Sequence, residues 1–252
     1  MPRHVGIVGC SPPGAALCYE VISNELSALA RRSSIDLEVS VHSHAFSEYM
    51  RHIAAGDWAS VSRLMLSSGQ KLAGVGAEFL VAPCNTIHRV FDLVAAQSSL
   101  PWLHIAAEVA AEAKRRGFKR VALLGTALIM QGDIYSSQFE RLGIEHRIPA
   151  EDECKLLDQC IFEEMVQGKF TIEAQRYVMD LIGDLGSRGS DAAGLCCTEL
   201  SILLAHADAP LPVLDSTKCL ATAAINRIRE SIPLFTSSRS VANNIDMQAG
   251  EG

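Results

Sequence analysis

Short runs of β-branched and other apolar residues alternate with longer segments of helical periodicity along almost the whole chain, and this alternation constrains the fold more than any other feature. It is typical of parallel strands joined by crossover helices, and it predicts an α/β fold. The predicted strands are Val5–Val8, Leu37–Val41, Phe79–Ala82, Leu103–Ile105, Val121–Leu124, Glu145–Ile148, Ala192–Cys196 and Val213–Leu214. The predicted helices are Gly14–Ala30, Trp58–Gly74, Asn85–Gln97, Glu108–Arg116, Gln131–Leu142, Asp152–Val166, Thr171–Leu185 and Leu220–Ile232.

A chain of 252 residues has room for one large α/β domain or for two of about 125 residues each. No Ser/Gly/Pro-rich linker divides the halves, so a boundary between two lobes has to follow from the strand–helix rhythm. That rhythm predicts a first lobe of residues 1–108 together with 212–236, and a second lobe of residues 109–211. Residues 237–252 contain few apolar side chains and are expected to form a mobile tail.

The composition narrows the range of partners. The net charge of −7 disfavours nucleic acid, because affinity for nucleic acid rests largely on Lys and Arg side chains. No window approaches the roughly 18–20 apolar residues of a membrane span, so no membrane partner is expected. Met1–His4 leads directly into the first predicted strand without an apolar signal core, which predicts a cytoplasmic protein. Its eight cysteines are then expected to be reduced thiols.

A cysteine follows one predicted strand in each half of the chain. Cys84 lies just after Phe79–Ala82, and Cys197 lies just after Ala192–Cys196, each at the start of a helical segment. In open parallel sheets, ligands bind at the carboxyl ends of the strands and against helix N-termini. Unpaired amides and the helix dipole favour a thiolate there, and they can also hold a carboxylate or a developing oxyanion. The alternative interpretation is that both cysteines are small buried hydrophobes, which is the commonest role of cysteine.

Around these two cysteines the sequence resembles the cofactor-independent aspartate/glutamate racemases, specifically their aspartate racemase branch. Two signatures carry the resemblance, Ala82-Pro83-Cys84-Asn85-Thr86-Ile87-His88 and Cys197-Thr198-Glu199-Leu200. Supporting segments follow in the order of the family at residues 6–9, 56–58, 123–126, 139–144, 166–170 and 212–217. The resemblance therefore extends over roughly residues 4–230.

The resemblance implies two similar doubly wound lobes that face each other across a cleft, with one catalytic cysteine from each. It also implies a two-base reaction without a cofactor. In that reaction the thiolate of Cys84 or Cys197 removes the α-proton of an amino acid, and the opposite thiol returns a proton to the other face. The implied substrate is aspartate, with glutamate next, and the implied assembly is a homodimer.

Further site residues follow from the same resemblance. Asn85, Thr86 and Thr198 are expected to hydrogen-bond the α-carboxylate as it gains enediolate character. Ser11 resembles part of the first substrate loop. Thr126 follows a strand at the cleft, although helix capping is an equally open interpretation of this threonine.

A dicarboxylic substrate needs a cation for its side-chain carboxylate. The family tends to have a lysine at the position of Gln167, and the nearest lysine here is Lys169, which we expect to reach in from a shifted loop. His44 and Arg51 are the alternatives. Each of these three cations, taken alone, is more typical of a solvated surface residue.

Other interpretations stay open. The same scaffold supports a decarboxylase of activated malonates or a maleate isomerase, and a two-lobed protein that only binds amino acids would need neither thiol. His88 is interpreted as ordering the first signature by hydrogen bonding. Neither a metal nor a nucleotide is expected, because the chain lacks a Cys-x-x-Cys pair and a glycine-rich phosphate loop. The cysteines interpreted as structural are Cys10, Cys18, Cys154, Cys160 and Cys219.

Overall fold

The computed structural model describes residues 3–33 and 36–231 of the chain. Its strands are β1 His4–Gly9, β2 Glu38–Ser43, β3 Phe79–Val81, β4 Arg120–Leu124, β5 Glu145–Arg147, β6 Ala192–Leu195 and β7 Val213–Asp215. Its α-helices are α1 Pro12–Ser33, α2 Phe46–Ala54, α3 Trp58–Gly74, α4 Phe91–Gln97, α5 Ile105–Arg115, α6 Ala127–Met130, α7 Asp133–Arg141, α8 Glu151–Gln159, α9 Ile172–Ser187, α10 Thr198–Leu203 and α11 Ser216–Ser231. Shorter helical turns are the 3₁₀ segments Thr86–Val90 and Met165–Gln167 and the π segment Cys160–Glu164.

The strands form two parallel sheets. In the first sheet β1 lies between β2 and β3, and the order in the second sheet is β5-β4-β6-β7. Every residue of β1 and of β6 is buried. Such fully buried apolar strands are typical of parallel sheets with helices on both faces. The predicted α/β class with two parallel-sheet lobes is confirmed.

The last helix returns to the first sheet. β7 pairs with β6 in the second sheet, so the return begins at Ser216 and not at residue 212. Helix α11 then packs against α1 and α5, where Leu220 and Ile228 join the same core as Ile7 of β1. The predicted division of the chain into two domains, with a boundary near residue 108, stays a prediction. The predicted tail lies outside the described residues.

The predicted strand Leu103–Ile105 is wrong. Trp102 alone bridges to Leu80, at the edge of β3. The chain cannot continue as a strand because α5 begins at Ile105. His104 caps that helix, since its Nδ1 accepts hydrogen bonds from two amides of the first turn at 3.2 and 3.3 Å.

Among the other helical segments that differ from the prediction, two contribute side chains to the site. Helix α2 was not predicted, although its Tyr49 is fully buried. The predicted helix Asp152–Val166 is wrong in its second half, because α8 ends at Gln159 and is followed by the π and 3₁₀ segments up to Gln167. Both segments place side chains at the carboxyl ends of the strands.

No helix within the two described stretches, 3–33 and 36–231, is long and apolar enough to cross a bilayer.

Candidate active site

The carboxyl ends of β1 and β3 place two cysteines side by side. Ile7 pairs with Val81 in the parallel register, and Cys10 and Cys84 follow this pair at equal distances along their own chains. In the second sheet Leu124 pairs with Leu195, so Thr126 and Cys197 stand beside each other in the same way. Cys84 of the first sheet and Cys197 of the second therefore both lie at the carboxyl ends of the strands, where parallel sheets bind ligands.

Both of these sheet edges open on one pocket with a volume of about 60 Å³. Its polar and thiol lining consists of Cys10, Ser11, Cys84, Asn85, Thr86, Thr126, Cys196, Cys197, Thr198 and Glu199. Its apolar lining comes from α2 and from the turns after α8, and consists of Phe46, Met50, Ile53, Ile161, Phe162 and Val166. The structure thus brings together every predicted site residue except Lys169.

Lys169 lies outside this pocket. The chain turns at Gly168, which has a left-handed φ of 79°, and the Lys169 amide then donates to the carbonyl of Glu164 at 3.0 Å. This turn leaves the lysine side chain exposed. The alternative cations are also absent from the pocket lining, since His44 contacts Ser67 at 3.2 Å and Arg51 contacts His52 at 3.3 Å.

The surroundings of Cys84 favour its thiolate. A hydrogen bond from the Cys10 thiol lowers the pKa of Cys84 below its ordinary value, and this outweighs the opposing effect of burial. The backbone amides of Ile87 and Thr86 act in the same direction. The same contact raises the pKa of Cys10, so Cys10 stays protonated and can continue to donate.

The surroundings of Cys197 favour its protonated thiol. Its Sγ donates to Oε2 of Glu199 at 2.9 Å, and both side chains are buried. Burial is the largest cause that raises the pKa of Cys197, and the nearby Glu199 carboxylate raises it further. The pocket therefore contains one thiol disposed to ionise and one disposed to hold its proton.

Asn85 connects the two lobes. Tyr135 of α7 donates a hydrogen bond to its Oδ1, and its own Nδ2 donates to Oγ of Ser216 at 3.1 Å. Both contacts are buried, and together they fix which way the amide points. Because an amide nitrogen carries two N–H groups, one of them is left to donate to a ligand.

Three hydroxyl groups at the pocket have different surroundings. Thr126 occupies the residue before α6 but does not cap it, and its buried Oγ1 has no hydrogen-bond partner among the described residues. Ser11 accepts from the Gly14 amide at 3.3 Å, which leaves its O–H free to donate. The Thr198 hydroxyl lies close to the start of α1, since a Cβ on Gly14 would stand 3.0 Å from its Oγ1. The Pro83 carbonyl oxygen would be closer still, 2.5 Å from that Cβ, so glycine is required where α1 passes this carbonyl.

His88 lies behind the first signature. Its Nε2 donates to the carbonyl of Ala82 at 2.9 Å, which confirms that it orders the loop by hydrogen bonding. Burial lowers the pKa of His88 to about 3, so the ring is neutral. It is not part of the pocket lining.

The two residues that act on the Cys84 and Cys197 thiols had no predicted role. Cys10 was interpreted as structural, and the Glu199 side chain was not assigned. The strand register is the signal for Cys10, because β1 and β3 are neighbours and their ends must meet. For Glu199 the signal is its place in the first turn of α10, which brings its carboxylate back to Cys197.

In the part of the chain that the structure describes, no group of three or more His, Cys, Asp or Glu side chains is arranged to hold a metal ion. All eight cysteines are free thiols.

Known proteins share the fold of this chain. A Yersinia pestis protein whose crystal structure is described as that of a candidate Asp/Glu racemase superimposes with a TM-score of 0.80 at 29% identity, covering 89% of this chain and 98% of that one. An aspartate racemase homologue from Pyrococcus horikoshii OT3 gives a TM-score of 0.75 at 28% identity, covering 90% and 99%.

Among characterised sequences, the broad specificity amino-acid racemase RacX from Bacillus subtilis strain 168 is 25% identical over 170 residues, or 68% of this chain and 73% of that protein. The family described as Asp/Glu/Hydantoin racemase matches residues 7–224, which is most of the chain. The protein is therefore a member of the Asp/Glu/Hydantoin racemase family.

Proposed function

We propose that this amino-acid racemase inverts its substrate by removing the α-proton with one of the thiols Cys84 and Cys197 and returning a proton from the other, without pyridoxal phosphate. The observation that carries the proposal is that one pocket is lined by both thiols, which come from different sheets. Their surroundings are opposite, since Cys84 is disposed to ionise and Cys197 to stay protonated. A base and an acid on two sides of one carbon are what inversion by proton transfer requires.

The reaction starts with the singly deprotonated pair. The Cys84 thiolate takes the α-proton, and the electron pair of the broken C–H bond moves into the α-carboxylate, which becomes an enediolate. The Cys197 thiol then donates its proton to the opposite face of the α-carbon. The enantiomer leaves a protonated Cys84 and an ionised Cys197, and this pair is the starting state for the reverse direction. Neither sulfur forms a bond to carbon.

The developing enediolate needs fixed hydrogen-bond donors, because no cofactor ring absorbs its charge. The second N–H of Asn85 and the hydroxyls of Thr126 and Thr198 line the pocket and can donate there. One such donor contributes about 2.7–4 kcal/mol in comparable oxyanion sites. Thr86 and Ser11 complete the polar side of the lining.

The aspartate specificity expected from the sequence stays a prediction, and the pocket does not favour it. Lys, Arg and His are absent from the described lining, and Glu199 is the charged side chain that it contains. We therefore propose the racemase reaction for this protein but do not propose a dicarboxylic amino acid as its substrate.

The test is exchange of the α-hydrogen in heavy water, followed by NMR and by chiral chromatography on a panel of L-amino acids. Cys84→Ser and Cys197→Ser are each expected to abolish racemisation. Cys219→Ser is the control, because Cys219 is a half-buried thiol outside the pocket and should keep full activity. Racemisation that survives in either pocket variant would contradict the two-thiol reaction.

Two other outcomes identify the alternatives. Release of carbon dioxide from a substituted malonate without racemisation of any amino acid would assign a decarboxylase. Binding of amino acids with no exchange, and with unchanged affinity in both serine variants, would assign a binding protein.

A further inference from the structure

We infer that the racemase acts on α-amino acids with an apolar aliphatic or thioether side chain, rather than on acidic ones. This inference rests on the proposed racemase function and concerns the part of the pocket lining that does not come from the strand ends. Two groups of residues line the pocket, and they differ in chemistry. The strand ends supply hydroxyls, an amide, thiols and the Glu199 carboxylate, whereas α2 and the turns after α8 supply apolar side chains, which form the apolar wall.

The apolar wall is built from two separate segments. Helix α2 contributes Phe46, Met50 and Ile53, whose spacing places them on one helix face. The turns after α8 contribute Ile161 and Phe162, with Val166 beside them. Ile161 is fully buried, but Phe162 keeps 38% of its surface exposed. An exposed phenylalanine at the pocket is available to cover an apolar group of a ligand.

The charges at the pocket disfavour a second carboxylate. Glu199 is the charged residue of the described lining, and its carboxylate already accepts a hydrogen bond from Cys197. A carboxylate placed against the apolar wall would lose its hydration without gaining a cation, and it would also be repelled by Glu199. An uncharged side chain of the same size would meet neither penalty.

A cation in an adjoining cavity does not change this conclusion. Arg89 lines an adjoining outer cavity, which it shares with Phe162 and Asp158. Its guanidinium lies 5.0 Å from the centre of the Trp58 ring, and the Asp158 carboxylate on the same cavity opposes any acidic ligand.

The decisive experiment compares near-isosteric substrates. Leucine resembles aspartate in shape, and methionine resembles glutamate in length, so each pair differs mainly in charge. Exchange of the α-hydrogen in heavy water gives kcat/KM for all four amino acids. We expect leucine and methionine to exceed aspartate and glutamate by at least about 100-fold, because one methylene in a hydrophobic pocket already changes kcat/KM by about 10–200-fold.

A cation introduced into the wall supplies an independent test. Phe162→Arg is expected to shift the ratio of kcat/KM for aspartate over leucine by at least about 10-fold towards aspartate. Phe170→Arg is the matched control, since Phe170 is 40% exposed and lies outside the pocket, and its ratio should stay at the wild-type value. Both positions are solvent-accessible, so both variants should fold, which circular dichroism checks.

The outcomes separate this inference from the function on which it rests. Exchange with aspartate at least as fast as with leucine would overturn the apolar specificity and leave the racemase function intact. An unchanged ratio in Phe162→Arg would overturn the assignment of the wall as the side-chain site. Absence of exchange with every amino acid would instead refute the proposed function.

Discussion

The hydrogen bond from Tyr135 to Asn85 should control both stability and catalysis, and Tyr135→Phe tests this. Tyr135 is fully buried and Asn85 is 4% exposed, so the substitution leaves the Asn85 Oδ1 buried without its donor. Leaving a buried acceptor unsatisfied costs about 1–3 kcal/mol. For a chain of this length that corresponds to a fall in Tm of about 2–12 °C.

The same substitution should slow the reaction. Without the tyrosine hydroxyl, the Asn85 amide is no longer forced to present its remaining N–H to the pocket. We expect kcat/KM to fall by about 10–100-fold, which is less than the 100–1,000-fold loss when an oxyanion donor is removed outright. The loss should appear in kcat rather than in KM, because the donor acts on the charge that develops in the transition state.

The assays are thermal unfolding by circular dichroism and initial rates of racemisation by coupled or chiral detection. Tyr177→Phe is the control, because its hydroxyl donates to the carbonyl of Glu153 at 3.0 Å and lies outside the pocket. That variant should lose some stability and keep wild-type kcat. If Tyr135→Phe matched the wild type in both Tm and kcat/KM, the link between the lobes through Asn85 would carry neither role.

Two further predictions concern protons. Racemisation in both directions requires the singly deprotonated pair of Cys84 and Cys197, so the pH profile of kcat/KM should rise as the lowered pKa of Cys84 is passed and fall only above the raised pKa of Cys197. In Cys10→Ala the rising limb of this profile should move to higher pH by about 1–2 units, because a hydrogen bond to a charged group contributes about 1.5–3 kcal/mol. A rising limb that stays in place would show that Cys10 does not stabilise the Cys84 thiolate. The pKa of His88 is about 3 in the folded state and 6.5 in its ordinary range, so the stability from the neutral ring is complete above pH 6.5 and is lost as the pH falls towards 3. Urea unfolding gives the free energy of unfolding at each pH between about 3 and 6.5. In His88→Gln this free energy should change with pH less steeply than in the wild type, by up to about 1.4 kcal/mol per pH unit. An unchanged slope would contradict a buried neutral histidine.

The sequence was sufficient for the parts of the site that are local. Cys84 and Cys197 stand out because each follows a buried strand, precedes a helical segment and lies in a signature that resembles the family. The parallel α/β class follows from the same rhythm, which needs no long-range information. Thr126 was identified from its place after a strand and Ser11 from its resemblance to the first substrate loop of the family, and both line the pocket.

The remainder depends on contacts between distant segments. The contact of Cys10 with Cys84 follows from the order of strands in the sheet, which a sequence pattern does not contain. Residues 160–164 form a π segment, which places Phe162 at the pocket. The sequence pattern of these residues is that of an ordinary α-helix, so it gives no sign of this departure. Lys169 was expected at the site because it is close in sequence, but the left-handed turn at Gly168 takes it away.

Helix α11 has a consequence for the order in which the protein is assembled on the ribosome. The apolar side chains of Leu220, Ala224 and Ile228 are part of the core under β1, yet they are translated after the whole of the second sheet. β4 to β7, by contrast, are contiguous in the chain and can pair as soon as they emerge. The amino-terminal half must therefore wait, with the faces of β1 and β3 partly uncovered, for residues 216–231 to be released. A nascent chain stopped before Ser216 would lack α11, so the apolar face of β1 and β3 would stay exposed. Such a chain should be a substrate for chaperones.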